Sequence, residues 1–207
     1  MQVAPLWSVD GGGYIDGHGV FHAESLGGPF VVTAIDGRAT GSAEVMVVDQ
    51  LSAPPAVVIA EIHYNPLDGD EYEFIELYNA SDDVIELDGF TFDKGVTFEF
   101  PAGSTIEAGE YIVIAAVGAT YTGNGYSVYQ WDSGSLKNSG EKLRLVDADG
   151  GVVDEVEYDD NHGWTSVADG EGPSLELADL SLDNEQPESW RESGTEGGTP
   201  GEANTTA

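Results

Sequence analysis

The sequence predicts an all-β protein. Runs of β-branched and aromatic residues are repeatedly broken by Gly, Asp and Asn, and the chain has 28 Gly and 9 Pro, which is typical of many short strands joined by tight turns. No segment keeps a helical period for more than about two turns. Apolar residues make up 40% of the chain, which is enough for a packed core and too much for a disordered chain.

The charge balance limits the possible partners. With 39 acidic and 6 basic residues the net charge is −33, so phosphate backbones and anionic membranes should be repelled, and nucleic-acid binding and membrane binding are disfavoured. Two interpretations stay open, a chain that lives in salty surroundings and a chain that binds Ca²⁺. The absence of cysteine excludes disulfides and Cys-ligated zinc, and no apolar run reaches the roughly 18 residues that span a bilayer.

Residues 1–49 form a first β unit. Strand-like segments at 7–9, 14–16, 20–21, 30–34 and 42–48 alternate with Gly-rich turns. This pattern resembles the C-terminal part of a bacterial Ig-like repeat whose earlier strands are missing. Because about 50 residues give a marginal core and missing strands leave unpaired edges, we expect this unit to dock on its neighbour, to self-associate with another copy, or to be poorly ordered.

Residues 50–56 are predicted to be a linker, because Pro54 and Pro55 favour an extended backbone. The second unit, 57–207, begins with an uninterrupted apolar run. The first residues of the chain lack the basic and apolar regions of a signal peptide. We therefore expect a piece of a longer protein, for which a missing signal peptide says little about localisation.

The second unit carries an ordered series of short motifs. It opens with Ile59-Ala60-Glu61-Ile62-His63-Tyr64-Asn65-Pro66 and continues with Glu73-Phe74-Ile75-Glu76-Leu77-Tyr78-Asn79. Further pieces lie at 85–90, 97–103, 106–114, 143–147, 172–177, 189–191 and 197–204. In this order they resemble a bacterial lamin-tail domain, and the resemblance covers nearly all of 57–204. It implies an Ig-like β-sandwich of two packed sheets.

The residues support a sandwich independently. In 96–100 apolar and polar side chains alternate, which predicts a half-buried strand. The segment 111–117 is apolar on both faces and is predicted to be a central strand. The outer faces of the two sheets are then expected to carry mostly carboxylates.

One hairpin can be placed in register. Asp149-Gly150 is predicted to form a two-residue type I′ turn. This turn places Arg144 opposite Glu155, and it places Lys142 opposite Glu157. A shift of one residue would lose both ion pairs, so the charges select this register.

Catalytic residues are not indicated. The four histidines, His18, His22, His63 and His162, are widely separated in the sequence, and no serine lies in a Gly-x-Ser-x-Gly turn. With 39 acidic residues, pairs of carboxylates arise by chance, so a glycosidase has no specific signal. We expect that the chain is not an enzyme.

Calcium is the better chemical hypothesis, because Ca²⁺ takes six to eight oxygen ligands from loops. Three acidic loops qualify, at 68–73, 159–171 and 179–184, although none is an EF-hand and a solvated turn is the alternative for each. The first predicted set of ligands is Asp68, Asp70 and Glu73, and the second is Asp169 and Glu171 with help from Asp183 in the third loop.

The leading functional hypothesis is a non-catalytic adhesion or interaction module of a larger secreted or cell-surface bacterial protein. Its partners would be neighbouring domains and a surface protein or polysaccharide. The alternative is a carbohydrate- or polymer-binding accessory domain of an attached hydrolase or nuclease. That alternative depends on an exposed row of rings in the stretch 121–131, where alternation puts Tyr129 and Trp131 on one face. Burial of these rings in the core is the competing interpretation.

Overall fold

The protein is described here by a computed structural model, which covers residues 5–25, 27–37, 39–47 and 56–205. The chain divides into two compact units, Met1–Ala53 and Pro54–Ala207. The predicted linker 50–56 lies outside the described residues except for its last position.

The first unit contains five strands. They are β1 (Leu6–Val9), β2 (Gly13–Ile15), β3 (Phe21–Ala23), β4 (Gly27–Asp36) and β5 (Ala39–Val47). β1, β4 and β5 form an antiparallel sheet in that order, and β2 pairs with β3. Val32 is the one buried hydrophobic side chain in the described part of this unit, whereas Leu6 and Val20 are 71% and 52% exposed. The core of this unit is therefore small.

The second unit contains twelve strands and four short 3-10 turns. The strands are β6 (Val57–His63), β7 (Phe74–Asn79), β8 (Ile85–Glu86), β9 (Thr91–Lys94), β10 (Phe98–Glu99), β11 (Thr105–Ile106), β12 (Tyr111–Ala115), β13 (Ser127–Gln130), β14 (Glu141–Val146), β15 (Val152–Tyr158), β16 (Pro173–Leu177) and β17 (Trp190–Glu196). The turns are Asp70–Tyr72, Gly118–Thr120, Ser166–Ala168 and Pro187–Ser189. The all-β prediction is confirmed.

Two main sheets enclose the core of the second unit. The larger sheet has the strand order β13-β12-β7-β6-β16-β17, and the smaller has the order β10-β9-β14-β15. One buried cluster joins inward residues of the larger sheet, such as Ile62 and Leu77, to inward residues of the smaller one, such as Phe92 and Leu145. Burying each such side chain contributes about 1.5–3 kcal/mol. This arrangement is the predicted Ig-like β-sandwich.

Strand periodicity was a reliable guide to this core. Val96, Phe98 and Phe100 are buried while Glu99 between them is exposed, as the alternation predicted. β12 lies between β7 and β13 and is buried on both faces, as expected for a central strand. Its pairing with β13 is parallel, which the sequence did not predict.

The predicted register of β14 and β15 is confirmed, because Arg144 lies opposite Glu155 and Lys142 opposite Glu157. The ion pairs differ from the prediction. The Lys142 ammonium lies 2.9 Å from the diagonal Glu155, and Arg144 reaches sideways to Asp93 on β9 at 2.6 Å. Long side chains on a twisted sheet can reach diagonal neighbours as well as the residue directly opposite. The register was therefore predicted correctly, whereas the ion-pair partners were not.

The turn of this hairpin is longer than predicted. The Gly150 amide donates to the Asp147 carbonyl, and the Asp147 amide donates to Gly151, so the loop has three residues instead of two. Gly150 has φ 83°, whereas a type I′ turn would require a positive φ at Asp149 as well. The longer loop confines the left-handed conformation to the glycine.

None of the described residues forms a helix that is long and apolar enough to cross a membrane.

Candidate functional site

The face of the larger sheet that points away from the core is covered by two other segments of the chain. This outer face carries Glu61 and His63 on β6, Phe74 and Glu76 on β7, Val113 and Ala115 on β12, and Ser174 and Glu176 on β16. Tyr121 and Tyr126 from the loop after β12 pack on Phe74, Val113 and Ala115. The residues after β17, 197–205, cover the remainder, and we call this segment the strap.

Three glutamates form a row across the outer face. Glu76 lies opposite Glu61, and Glu61 lies opposite Glu176 on the next strand. All three are 0% exposed. The expectation that the carboxylates would lie on the solvent-exposed outside is therefore wrong for this row, because the strap covers the face that alternation assigned to solvent.

The strap binds the row through its backbone. The backbone N–H of Thr199 donates to the Glu61 carboxyl at 2.9 Å. The N–H of Gly201 donates to Glu76 at 2.5 Å, and the N–H of Thr205 donates to Glu176 at 2.7 Å. The Ser174 and Thr199 hydroxyls add hydrogen bonds to Glu61. These carboxyl oxygens satisfy backbone N–H groups that are held away from water, where an unpaired donor would cost free energy, so the row anchors the strap.

Burial changes the protonation of the row. It raises the pKa of Glu61 to about 8, and the nearby Glu176 carboxylate adds to this effect. Burial and the facing Glu61 carboxylate hold the pKa of Glu76 well above its usual range. Oε1 of Glu76 has no hydrogen-bond partner. Burial thus favours the protonated form of both groups, and Glu61 is largely protonated at neutral pH, which avoids adjacent charges in a site that excludes water.

Two glycines allow the strap to approach the sheet closely. Gly198 and Gly201 have φ 78° and 80°. A Cβ at Gly198 would overlap the Glu61 carboxylate, and a Cβ at Gly201 would overlap the ring of Tyr126. Both the backbone conformation and the space therefore require glycine.

A cavity of about 390 Å³ opens on the outer face beside the row. We call it the tyrosine cavity, since Tyr72, Tyr121 and Tyr126 line it together with Asp68, Glu196 and His63. Gly197 and Pro200 of the strap form part of its wall. The strap therefore connects the glutamate row to the cavity.

His63 is the unusual side chain of this cavity. It is 2% exposed, its ring lies edge-on to Phe74 with centroids 5.5 Å apart, and neither ring nitrogen makes a hydrogen bond of normal geometry. Burial lowers the pKa of His63 to about 4, against the smaller opposite effect of the Gly172 and Tyr72 backbones. The imidazole is therefore neutral at physiological pH.

The tyrosine wall is held in place by hydrogen bonds. The Tyr121 hydroxyl donates to the Tyr72 carbonyl at 2.6 Å, and its ring packs edge-on against Phe74. The Asn124 amide donates to the Tyr121 carbonyl and the Tyr126 hydroxyl, both at 3.3 Å. These contacts link the loop after β12 to the turn before β7, so the cavity is formed before any ligand enters.

The first predicted calcium site is not assembled. Glu73 is buried and accepts a hydrogen bond from the Leu136 amide at 3.1 Å, and burial raises the pKa of Glu73 to about 7. Asp68 and Asp70 are exposed, and Asp68 lines the tyrosine cavity. Glu73 directly precedes β7, and its carboxylate is held by the Leu136 amide in the interior, whereas the other two side chains are exposed to solvent.

The second predicted calcium site is also dispersed. Asp169 accepts from the Asn65 amide at 2.6 Å, and Asp183 accepts from the Glu185 amide at 3.0 Å within its own turn. Glu171 is exposed. Across the described residues, no three His, Asp or Glu side chains form a group that could hold a metal ion. Local turn formation accounts for Asp183.

The aromatic pair predicted for ligand binding lies in the core. Trp131 is 5% exposed and its indole N–H donates to the Gly134 carbonyl at 3.2 Å. Tyr129 packs against Phe98 and Phe100, with ring centroids 5.8 and 5.1 Å away. The two rings do share a face, but it is the inner face. They form no exposed row, because both rings fill space between the two packed sheets.

A protein-family model and a solved structure are similar to this chain. The family model described as lamin tail domain matches residues 50–160. A crystal structure of a DUF4876 family protein from Bacteroides thetaiotaomicron aligns with a TM-score of 0.43 and 14% identity, covering 85% of this chain and 83% of that chain. No curated protein matches the sequence.

The family match spans the strands that contribute Glu61, His63 and Glu76, and it ends before β16 and the strap. It covers just over half of the 207 residues. The chain therefore belongs to the lamin tail domain family.

Proposed function

We propose that the chain is a non-catalytic interaction module of a larger secreted or cell-surface bacterial protein, and that the tyrosine cavity is its ligand-binding site. The observation that carries this proposal is the cavity itself, a preformed opening of about 390 Å³ lined by rings and hydrogen-bonding groups. Ligand sites in proteins are concave, largely preformed and of this size.

The chemistry around the cavity favours binding over catalysis. Nucleophilic catalysis needs a hydroxyl or thiol beside a base. In the described part of the second unit, the Ser174 and Thr199 hydroxyls bond to Glu61 beneath the strap and not to a histidine. Among the described residues, no side chain forms a hydrogen bond with His63 that would orient it as a base.

The surface location rests on composition. A net charge of −33 suits an acidic domain in salty extracellular surroundings, where counterions screen the self-repulsion. The fold alone does not name a partner, since one fold hosts many functions. We propose neighbouring domains and a surface protein or polysaccharide as partners.

A polymer-binding accessory role for an attached hydrolase or nuclease remains the second candidate. Tyr129 and Trp131 no longer support it, because Trp131 is buried in the core and Tyr129 packs half-buried against it. Tyr121 and Tyr126, from the same aromatic stretch, line the cavity instead. This candidate would therefore use the same site as the leading proposal.

The test is binding by the intact chain to immobilised extracellular polysaccharides and matrix proteins, measured by biolayer interferometry. Tyr72→Ala removes a cavity ring that is 37% exposed, and Tyr14→Ala removes a 51% exposed ring of the first unit as a matched control. We expect at least one polymer to bind the wild type and the control equally and the Tyr72 variant several-fold more weakly. Equal binding by both variants to every polymer would overturn the cavity as the site.

A further inference from the structure

We propose that the tyrosine cavity binds a primary ammonium group, of the kind carried by a lysine side chain or an amino sugar. The inference rests on the proposed function, because it names the ligand class of the same site. Three independent properties of the cavity lead to it, namely its charge, its rings and a buried imidazole whose ring nitrogens make no hydrogen bond of normal geometry.

The charge of the cavity selects for cations. Asp68 and Glu196 line it and are both exposed, and no Lys or Arg is among its lining residues. His63 adds no positive charge, since burial keeps its pKa low. With a net charge of −33 on the whole chain, anionic ligands are repelled and small cations are concentrated at the opening.

The rings add a second attraction for the same charge. Tyr72, Tyr121 and Tyr126 surround the cavity, and the negative face of a tyrosine ring attracts an ammonium group. Tyr121 is 7% exposed and its hydroxyl is engaged with the Tyr72 carbonyl, so its hydroxyl is not free to bind a ligand. The more exposed Tyr72 is the ring that a ligand can reach.

His63 distinguishes a primary ammonium from other cations. A neutral imidazole has one nitrogen that donates and one that accepts, and a buried polar atom without a partner costs free energy. A primary ammonium has three N–H donors and no acceptor, so it can satisfy the accepting nitrogen of His63 and still reach Asp68 or Glu196. A quaternary ammonium has no N–H group and would leave the imidazole unsatisfied.

The experiment is a set of NMR titrations of the intact chain at pH 7 and fixed ionic strength. The bare probe is n-butylammonium, with n-butanol as the neutral analogue and tetramethylammonium as the cation without N–H groups. Nα-acetyl-lysine amide and glucosamine test the two natural sources, and N-acetylglucosamine is the neutral counterpart of the latter. We expect n-butylammonium to shift resonances of His63 and Tyr72 in a saturable way and to bind more tightly than both controls.

Matched variants localise the effect. Asp68→Asn removes a cavity charge, and Asp82→Asn makes the same change at an exposed position outside the lining. The Asp68 variant should bind n-butylammonium more weakly than the Asp82 variant. Tyr72→Ala should lower affinity about two- to fivefold, which is the size of a partly exposed cation–π contact, while Tyr14→Ala should leave it unchanged.

The outcomes separate this inference from the proposed function. If n-butanol and n-butylammonium bind equally and Tyr72→Ala weakens both, the ammonium preference is wrong and the cavity remains the site. If tetramethylammonium binds as tightly as n-butylammonium, the role of His63 and hence of a primary ammonium is wrong. If none of the probes shifts the resonances of His63 or Tyr72, even at concentrations about 100-fold above those that shift the resonances of exposed surface carboxylates, the ammonium inference is overturned. The proposed function is overturned only if the polymer-binding experiment fails as well.

Discussion

Glu61 and Glu76 lie directly opposite each other on β6 and β7, and neither is exposed to solvent. Like charges at directly opposed positions of a sheet destabilise it, and removing ionised carboxylates from water costs more still. The fold tolerates the pair because both pKa values are raised. A protonated pair has a consequence for the dependence of stability on pH.

We predict that the second unit becomes less stable as pH rises from about 5.5 to 8.5. The folded-state pKa of Glu61 is about 8, above the ordinary value of 4.5, so between these values the folded state binds more protons than the unfolded state and stability falls with pH. Glu76, Glu73 and Asp154 act in the same direction, since burial raises the pKa of each. The total loss should be on the order of a few kcal/mol.

His63 opposes this trend only at lower pH. Its pKa of about 4 lies below the ordinary 6.5, so its contribution to stability is lost as pH falls from about 6.5 to 4. Urea unfolding at fixed ionic strength measures the balance. The Glu76→Gln variant should show a shallower fall between pH 5.5 and 8.5 than the wild type. Stability that increases over this range in the wild type would contradict the protonated row.

Glycine substitution tests the close approach of the strap. Gly201→Ala should destabilise the unit by about 1–3 kcal/mol more than Gly103→Ala, the range expected for overpacking. Both residues have similar positive φ, 80° and 84°, so the backbone strain is matched. The added methyl would overlap Tyr126 only at Gly201, and it meets nothing within 4 Å at Gly103. Equal unfolding free energies for the two variants would show that the strap is not seated as described.

Aromatic substitutions separate the core from the cavity. Trp131→Ala should cost about 3–5 kcal/mol of unfolding free energy, because it leaves a void between the sheets. Tyr72→Ala should cost less than about 1 kcal/mol, because its ring is 37% exposed. Chemical denaturation of both variants gives the comparison. A larger loss for Tyr72 than for Trp131 would reverse the assignment of the two rings.

The dispersed acidic loops predict the response to calcium. Since no described group of acidic or histidine side chains is arranged to hold a metal ion, millimolar Ca²⁺ and Mg²⁺ should change the melting temperature equally at matched ionic strength. Screening of a −33 chain acts through ionic strength and not through ion identity. A rise in melting temperature that is specific to Ca²⁺ and removed by a chelator would contradict this expectation.

The first unit predicts self-association that depends on salt. Leu6 is 71% exposed on the edge strand β1, and unpaired edges favour pairing between copies. At low salt the repulsion between chains of charge −33 should oppose contact. Sedimentation of the full chain should therefore show a mass that rises with concentration at high salt, and Leu6→Glu should reduce the rise. A mass independent of salt and concentration would exclude association.

The sequence predicted the sandwich well, because its core depends on local alternation. Phe98 and Leu145 lie where period-two patterning placed them, and the pairing of Arg144 with Glu155 followed from turn chemistry and charge. These properties depend on a few neighbouring residues and need no knowledge of the remaining chain.

The cavity and the glutamate row were missed, because they depend on contacts between distant residues. Alternation places Glu61 on the outer face of β6, but it cannot show that Thr199, 138 positions away, covers it. The available signal was the Gly-Thr-Pro-Gly segment at 198–201, which is too rich in turn residues to be a strand and ends a resemblance otherwise made of strands. Burial of Trp131 was one of the two interpretations that the sequence left open, because alternation does not say which face is inside.

The strap follows every strand of the face that it covers, so it is the last part of this layer to be synthesised. In the unfolded chain Glu61 and Glu76 are in contact with water and ionised at neutral pH, which keeps these segments hydrophilic and opposes association with other unfolded chains. Docking then removes the water and, because the pKa of Glu61 and of Glu76 rises, draws protons from the solvent at neutral pH. Glu61 and Glu76 thus act as solubilising side chains in the unfolded chain and as buried anchors of the strap in the folded domain.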